Sequence, residues 1–150
     1  MTIEVTPKGT RGTLMSGPPR PLMKIMRGVM VAFARLRGDR MVILTTMGAR
    51  SGRPHTVALG RFPEGENSFL VVASNGGSAR HPAWFINMAR HPDQVWAEVG
   101  GRKFKVRPQL LKGTERQAAM QRVFAASPGY KAYQKRTDRE IPFIRLTSED

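Results

Sequence analysis

The sequence predicts a mainly β fold, an antiparallel barrel with helices on its periphery. Three observations lead there. Short apolar, β-branched runs recur between turn signals rich in glycine, proline, asparagine and aspartate. Most of these runs are joined by a few residues, which suits antiparallel neighbours, since a parallel crossover needs about a dozen or more. Helical periodicity is confined to the start, the middle and the region near the end. A length of 150 residues suits one domain that buries a core without covalent staples.

Taken in order, residues 1–20 are rich in Thr, Gly, Pro and Arg and read as a flexible or loosely docked arm. Residues 21–38 read as a basic amphipathic helix. Leu22, Ile25, Met26, Val29, Phe33 and Leu36 share one side, with Lys24, Arg27 and Arg35 opposite. Such a helix either packs on the domain's own core or lies on an anionic membrane surface. Residues 39–150 are assigned to the barrel domain. Met41 to Thr46 is its first strand, Thr56 to Phe62 the second, and Pro63 to Asn67 a turn before Ser68 to Ser74. Pro82 suits the first turn of a helix that His91-Pro92-Asp93 ends. Val95 to Val99 and Phe104 to Arg107 alternate about Gly100-Gly101 as a hairpin, with Lys103, Lys105 and Arg107 as a solvated row. Thr114-Glu115-Arg116-Gln117 fits a capping box opening a helix that Pro128-Gly129 stops. Tyr130 and Tyr133 then share one helical face, and Ile141 to Leu146 is the last of roughly six strands.

Two glycine turns carry the chemistry. In the first, Gly48 to His55, glycine amides, the Ser51 hydroxyl and the forks of Arg50 and Arg53 suit a phosphate or carboxylate. No Gly-Lys-Ser/Thr ends it, so it is not a Walker A loop, and a plain basic hairpin turn would look similar. In the second, a strand stops at Ser74-Asn75-Gly76-Gly77 and restarts as a helix beyond Pro82, leaving unpaired N–H groups at the helix start, with Arg80 nearby. An ordinary strand-to-helix connection is the competing reading. Composition bounds both. There is no cysteine, which removes disulfides and thiolate chemistry and suits a reducing compartment. The net charge of +14 favours acidic partners, nucleic acid, anionic lipid and polyanionic small molecules among them. No apolar run approaches the ~20 residues of a membrane span, and residues 1–20 lack the centre of a signal peptide, so a cytoplasmic setting is expected. His55, His81 and His91 are not at metal-ligand spacings, and no metal is expected. Residue chemistry alone thus gives a basic barrel suited to a flat, anionic ligand.

Several motifs in fixed order add a resemblance. Leu44-Thr45-Thr46 with Gly48 and Arg50-Ser51-Gly52-Arg53-Pro54 comes first, then Val72 to Gly77, then His81-Pro82-Ala83-Trp84 with Asn87. Pro128-Gly129-Tyr130, Tyr133 and Thr137-Asp138-Arg139-Glu140-Ile141-Pro142 complete it. This order, over residues 41–146, resembles the deazaflavin-dependent nitroreductase family of actinobacteria. The resemblance implies a flavin-reductase-like split β-barrel binding coenzyme F420, a 5-deazaflavin whose tail carries a phosphodiester and glutamates. It implies hydride transfer from the reduced coenzyme to a hydrophobic acceptor, a quinone or a nitroaromatic compound.

Carried over by motif, Ala49, Arg50, Ser51, Gly52, Arg53, Pro54 and His55 would hold the phosphate and the start of the tail. Val72, Ala73, Ser74 and Asn75 would lie along the deazaflavin edge, their backbone N–H groups bonding its pyrimidine carbonyls. Ala83, Trp84, Phe85, Ile86 and Asn87 would line the ring system and its side chain, and Tyr130 would close over it. Ser74 and Tyr133 are the expected contacts to the acceptor oxygen, Tyr133 having simple packing as its alternative. An amphipathic helix 21–38 resting on the inner face of the cell membrane would meet a lipid-soluble quinone there. Neither nucleic acid nor an obligate protein partner is expected. Two rivals stand beside this reading: a split-barrel enzyme using FMN, and a non-catalytic binder of anionic lipid or nucleic acid explained by charge.

Overall fold

The computed structural model describes residues 3–13 and 20–149, with the side chain of Arg20 left aside. Its centre is a curled antiparallel sheet of seven strands. They are β1 (Met41–Met47), β2 (Pro54–Gly60), β3 (Phe62–Glu64), β4 (Ser68–Val72), β5 (Val95–Val99), β6 (Arg102–Leu110) and β7 (Phe143–Ser148), in the order β2-β1-β5-β6-β7-β4-β3. β6 makes the curl. Its first half pairs with β5, Ala97 opposite Phe104, and its second half with β7, Pro108 opposite Leu146, so one nine-residue strand turns the sheet through both halves. Gly100 and Gly101, at φ 58° and 82°, form the tight turn between β5 and β6 that the sequence predicts.

Side-chain alternation then sorts the core into two layers. Phe69, Val71, Ile144 and Leu146 point inward with Val42, Leu44, Val95, Ala97 and Val106, and helix α2 (Ala83–Arg90) plugs this interior with Trp84, Phe85 and Met88. Leu70, Val72 and Phe143 point outward, where α3 (Gly113–Ala126) covers them with Ala119 and Val123. β4 and β7 are therefore covered on both faces, which is why residues 69–73 read as an unbroken apolar run. Helix α4 (Gly129–Arg136) follows α3 and brings Tyr130 and Tyr133 against the outer layer.

Four local features depart from expectation. The second strand is two. β2 ends at Gly60, Arg61 bonds back through its N–H to the Arg40 carbonyl at 3.0 Å, and Phe62–Glu64 pairs with β4 as β3, making seven strands rather than six. The capping box does not form: α3 begins at Gly113 after Lys112, without a side-chain cap, so Thr114 already lies inside the first turn; Glu115 separately reaches Arg145 Nη1 at 2.9 Å. The last strand starts two residues later than predicted, because the Ile141 amide is taken by Gln134 Oε1 at 3.1 Å and Phe143 is the first residue paired with β4.

The fourth concerns the arm. Residues 3–13 run along α2 and the loop before it, with Ile3 N–H to Ala89 O at 3.1 Å, Gly9 N–H to Ala79 O at 2.8 Å and Thr13 N–H to Gly77 O at 3.1 Å. Asp138 Oδ1 accepts the amides of Thr10 and Arg11, and Lys112 pairs with Glu4 at 2.6 Å. Residues 14–19 of the predicted arm lie outside the described residues. Helix α1 (Arg20–Leu36) sits over β1 and β2 but buries only Ala34. Its predicted apolar side faces out, with Ile25 64 %, Val29 63 % and Leu36 86 % exposed. Packing on the domain's own core therefore does not account for that face.

Candidate active site

A cleft of about 1470 Å³ opens between β2, the start of α2, the loop after β4 and the first turn of α4. Both glycine turns reach it. The first is built by short-range bonds: the Gly48 amide donates to Arg53 O at 2.8 Å, Gly52 to Gly48 O at 2.9 Å, and Arg53 to Ser51 Oγ at 3.2 Å. A Cβ on Gly48 would fall on Ser51 Oγ and 3.0 Å from His55 Nε2. Gly48 thus lets these two side chains converge at the cleft. Ala49, Arg50, Ser51 and His55 line it, whereas Gly52, Arg53 and Pro54 are exposed outside its lining.

Asn87 borders the cleft and also fastens its first turn. It is buried on α2, accepts the Ala49 amide on Oδ1 at 2.9 Å and donates from Nδ2 to Thr46 Oγ1 at 3.4 Å. Its amide group is thereby spent on fastening the first turn to the helix, although its edge borders the cleft. Trp84, Ala83 and Ile86 face the cleft from the same helix. Phe85 does not. Its ring is 0 % exposed in the inner core, edge-on to Trp84 at 6.4 Å between centroids. Adjacent helical residues lie about 100° apart, so a run of four cannot all face one cavity.

The second turn forms the opposite wall. Val72, Ser74 and Asn75 border the cleft; Ala73 is fully buried, and its amide already donates to Pro142 O at 3.0 Å, so that N–H is not available to a ligand. Asn75, Gly76 and Gly77 take φ of 45°, 64° and 82° in succession. Glycine suits the last two; Asn75 tolerates the left-handed region better than most residues and steadies it through Nδ2 to Arg80 O at 3.0 Å. At Gly77 a Cβ would meet Tyr133 O at 2.9 Å. Ser74 lines the cleft, and its hydroxyl makes no hydrogen bond among the described residues.

Tyr130 closes one end. Its hydroxyl lies 3.1 Å from where a Gly60 Cβ would stand, its ring is edge-on to Phe62 at 5.5 Å, and burial raises the phenol above its ordinary pKa. Tyr133 stands behind it, edge-on at 5.6 Å, with Arg136 over its ring, and is absent from the cleft lining. A spacing of three residues puts both rings on one helical side, and Tyr130 stands between Tyr133 and the cleft.

Sequence reasoning missed two contributors. Arg27 reaches the cleft from α1, and no local pattern links residue 27 with residue 50. His81 lines the cleft with both ring nitrogens engaged, Nε2 at 2.7 Å from Thr6 O and Nδ1 at 2.9 Å from Arg139 Nη1. Because arginine can only donate, Nδ1 accepts and Nε2 carries the proton. Burial and the Arg139 charge lower the His81 pKa, against an opposing hydrogen bond to Thr6. The electrostatics follow. Arg27, Arg50 and Arg80 face the cleft without an ion-pair partner among the described residues, and no carboxylate lines it.

Comparison with known proteins agrees with this architecture. A curated protein of Mycobacterium tuberculosis named F420H(2)-dependent quinone reductase is 33 % identical over 109 residues, 71 % of this chain and 72 % of that one. A solved structure described as an F420-H2 dependent reductase (FDR-A) superposes with a TM-score of 0.64 at 34 % identity, covering 71 % of this chain and 93 % of that chain. A second, described as a domain-swapped dimer, gives 0.66 at 28 % identity over 86 % of this chain and 99 % of that chain. The family model described as F420H(2)-dependent quinone reductase matches residues 20–148, and the chain belongs to that family.

Proposed function

We propose that the cleft binds coenzyme F420 and that the chain transfers hydride from its reduced form to a quinone. One observation carries this reading: among the described residues, three arginines without an ion-pair partner and no carboxylate line a cleft whose other walls are Trp84, Tyr130 and Val72. A flat ring with a phosphate and an acidic tail matches both halves of that lining. The donor set fits the group. Arg50, Ser51 and His55 converge over Gly48, where a Cβ would fill the space between them, and would hold the phosphate. Trp84, Ile86 and Tyr130 would enclose the ring. When bound and reduced, the deazaflavin supplies the hydride at C5; the protein supplies orientation and charge placement.

The chain's own groups do the rest. Ser74, which lines the cleft with its hydroxyl unengaged among the described residues, would donate to the acceptor oxygen on which negative charge develops. Tyr133 supports Tyr130 from behind. The acceptor range extends to nitroaromatic compounds, since an apolar wall with one hydroxyl donor does not distinguish a quinone carbonyl from a nitro oxygen. The exposed side of α1 belongs to the same reading. Lys24, Arg27, Arg35 and Arg37 flank its methionine-rich apolar stripe, the arrangement an anionic bilayer surface takes up, and Arg27 joins that helix to the cleft. No helix among the described residues is long and apolar enough to cross a membrane.

Fluorescence titration with oxidised F420, with FMN in parallel at the same salt, tests the coenzyme. Saturable binding of F420 alone is expected. Binding of FMN alone would move the chain to flavin chemistry, and binding of neither would remove the site. For α1, co-sedimentation with anionic vesicles is expected to fall sharply in the pair Ile25→Asp, Val29→Asp. Unchanged pelleting, or dimerisation without vesicles that the same pair abolishes, would overturn the membrane reading.

A further inference from the structure

Among the described residues Arg139 is the largest fully buried side chain, at 1 % exposure, and it has no carboxylate partner there. Its neighbour Asp138 points away and binds Thr10 and Arg11. A buried cation without a counter-charge is costly unless every donor is engaged, and mutation of one partner in such a network is felt throughout it. Here the engagement is nearly complete and converges on one segment. Nε donates to Ser78 O at 3.0 Å, Nη1 to Ala73 O at 3.0 Å and to His81 Nδ1 at 2.9 Å, and Nη2 to Ser74 O at 2.8 Å. All four acceptors belong to residues 73–81, the wall that carries Ser74 and Asn75 and leads into Trp84.

That segment has little order of its own. It contains three consecutive positive φ angles, and its internal backbone bonds are two, Gly77 N–H to Ser74 O at 2.9 Å and Ser78 N–H to Asn75 O at 3.1 Å. Two side-chain bonds add to these, Asn75 Nδ2 to Arg80 O at 3.0 Å and the Arg80 N–H to Ser78 Oγ at 3.2 Å, and further support comes from outside: the arm through Thr13 and Gly9, and Tyr133 and Arg136 of α4 packed close on Gly77. Arg139 alone reaches both ends of it at once. The planar fork fixes the two carbonyls that follow β4 relative to the carbonyl that precedes α2, and its bond to His81 extends the tie through Thr6 to the arm.

We infer that Arg139 is a positioning residue that sets the conformation of the cleft wall 73–81, and so the alignment of Ser74 with whatever lies in the cleft. The inference rests on the coenzyme reading for its functional half. Its structural half stands without it. Lysine cannot replace the fork. A single ammonium with three donors on a flexible stem cannot span carbonyls at both ends of the loop.

The test compares Arg139→Lys with Val123→Ala, a truncation in the outer core beneath α3 that lowers stability without touching the cleft. Hydrogen exchange on the ligand-free proteins reads the wall directly. Peptides covering 73–81 are expected to exchange at least tenfold faster in Arg139→Lys and at the wild-type rate in Val123→Ala. Titration with oxidised F420 reads the consequence, with at least a tenfold rise in Kd for Arg139→Lys alone. Unchanged exchange at 73–81 would overturn the inference whether or not the coenzyme binds. Faster exchange with an unchanged Kd would overturn its functional half. Faster exchange in a wild-type background that binds no F420 would uphold the positioning role and defeat the coenzyme reading instead. If Arg139→Lys fails to fold, Arg139→Gln, which keeps a planar group with two donors, is measured in its place, and the same outcomes apply.

Discussion

Replacing Asn87 by alanine separates what holds the first glycine turn from what that turn binds. The side chain is buried, 8 % exposed, and its Oδ1 is the acceptor for the Ala49 amide at 2.9 Å. Removing it deletes one well-formed hydrogen bond and leaves a partly buried N–H without a partner, a loss of about 1–3 kcal/mol. The second contact, to Thr46 Oγ1 at 3.4 Å, is long and adds little. For a chain of this size ~2 kcal/mol lowers Tm by roughly 4–8 °C. Thermal unfolding reads that number. The same variant frees Ala49, Arg50 and Ser51 to move, so F420 affinity is expected to fall as well. Asn87→Asp provides the contrast. Its carboxylate still accepts from Ala49, so Tm should drop less than in Asn87→Ala. It also places a negative charge in a cleft lining that has none, which should weaken F420 binding roughly tenfold or more, with the loss shrinking as salt is raised. A Tm for Asn87→Ala within 1 °C of wild type, on the scale of roughly 4–8 °C worked above, would refute the claim that this bond fastens the turn.

Gly48→Ala should weaken coenzyme binding more than it lowers stability, because the added methyl meets Ser51 Oγ and His55 Nε2 at the cleft rather than the core; titration beside thermal unfolding decides. Phe85→Ala should cost about 3–5 kcal/mol by denaturant unfolding, the range for a buried aromatic, while a small loss would mean that its ring is not in the core. His81 sets a pH limit. Its folded pKa lies below the ordinary 6.5, so the unfolded chain binds its proton first; the stability that neutral His81 contributes is present above about 6.5 and is lost as pH falls from there through the folded pKa. Urea midpoints that fall between pH 7 and 5 in wild type but less in His81→Asn would bear this out. Asp138, held at about 2 by the Thr10 hydroxyl and nearby amides, acts in the same sense only at much lower pH and does not confound that window.

What the sequence disclosed was decided by local rules. Alternation over residues 95–107, with two glycines between, needs only neighbouring side chains to specify a hairpin, and it forms as expected. The same holds for the polar, glycine-rich character of both turns. What it concealed required knowing where a strand ends or which way a helix faces. Arg61 interrupts an otherwise continuous apolar run because its amide finds the carbonyl of Arg40, the residue just before β1. Phe85 looked like a cleft residue because its neighbours Trp84 and Ile86 are, yet one residue of helix rotation carries it into the core. Thr114 has the spacing of a cap, but the helix opens one residue earlier at Gly113 and takes Thr114 into its first turn.

Arg139 makes the sharpest case, because its motif was visible and its use was not. Within Thr137-Asp138-Arg139-Glu140 a charged residue between two acids reads as surface. Nothing local distinguishes the arginine that turns inward from the aspartate that turns outward. The distinction arises only when β4 and β7 pair, for that pairing brings the carbonyls of residues 73 and 74 over the chain that enters β7 at Ile141 and Pro142. The Ala73 carbonyl leaves the sheet at the end of β4 with no strand to receive it, the Ser74 carbonyl has the Gly77 amide beside the arginine, and a buried acceptor without a donor is costly. A guanidinium supplies several donors from one position, and here the two ends of the chain segment it joins are also the two ends of the cleft wall. The demand for a buried arginine is therefore set by topology, and only its supply is written at residue 139.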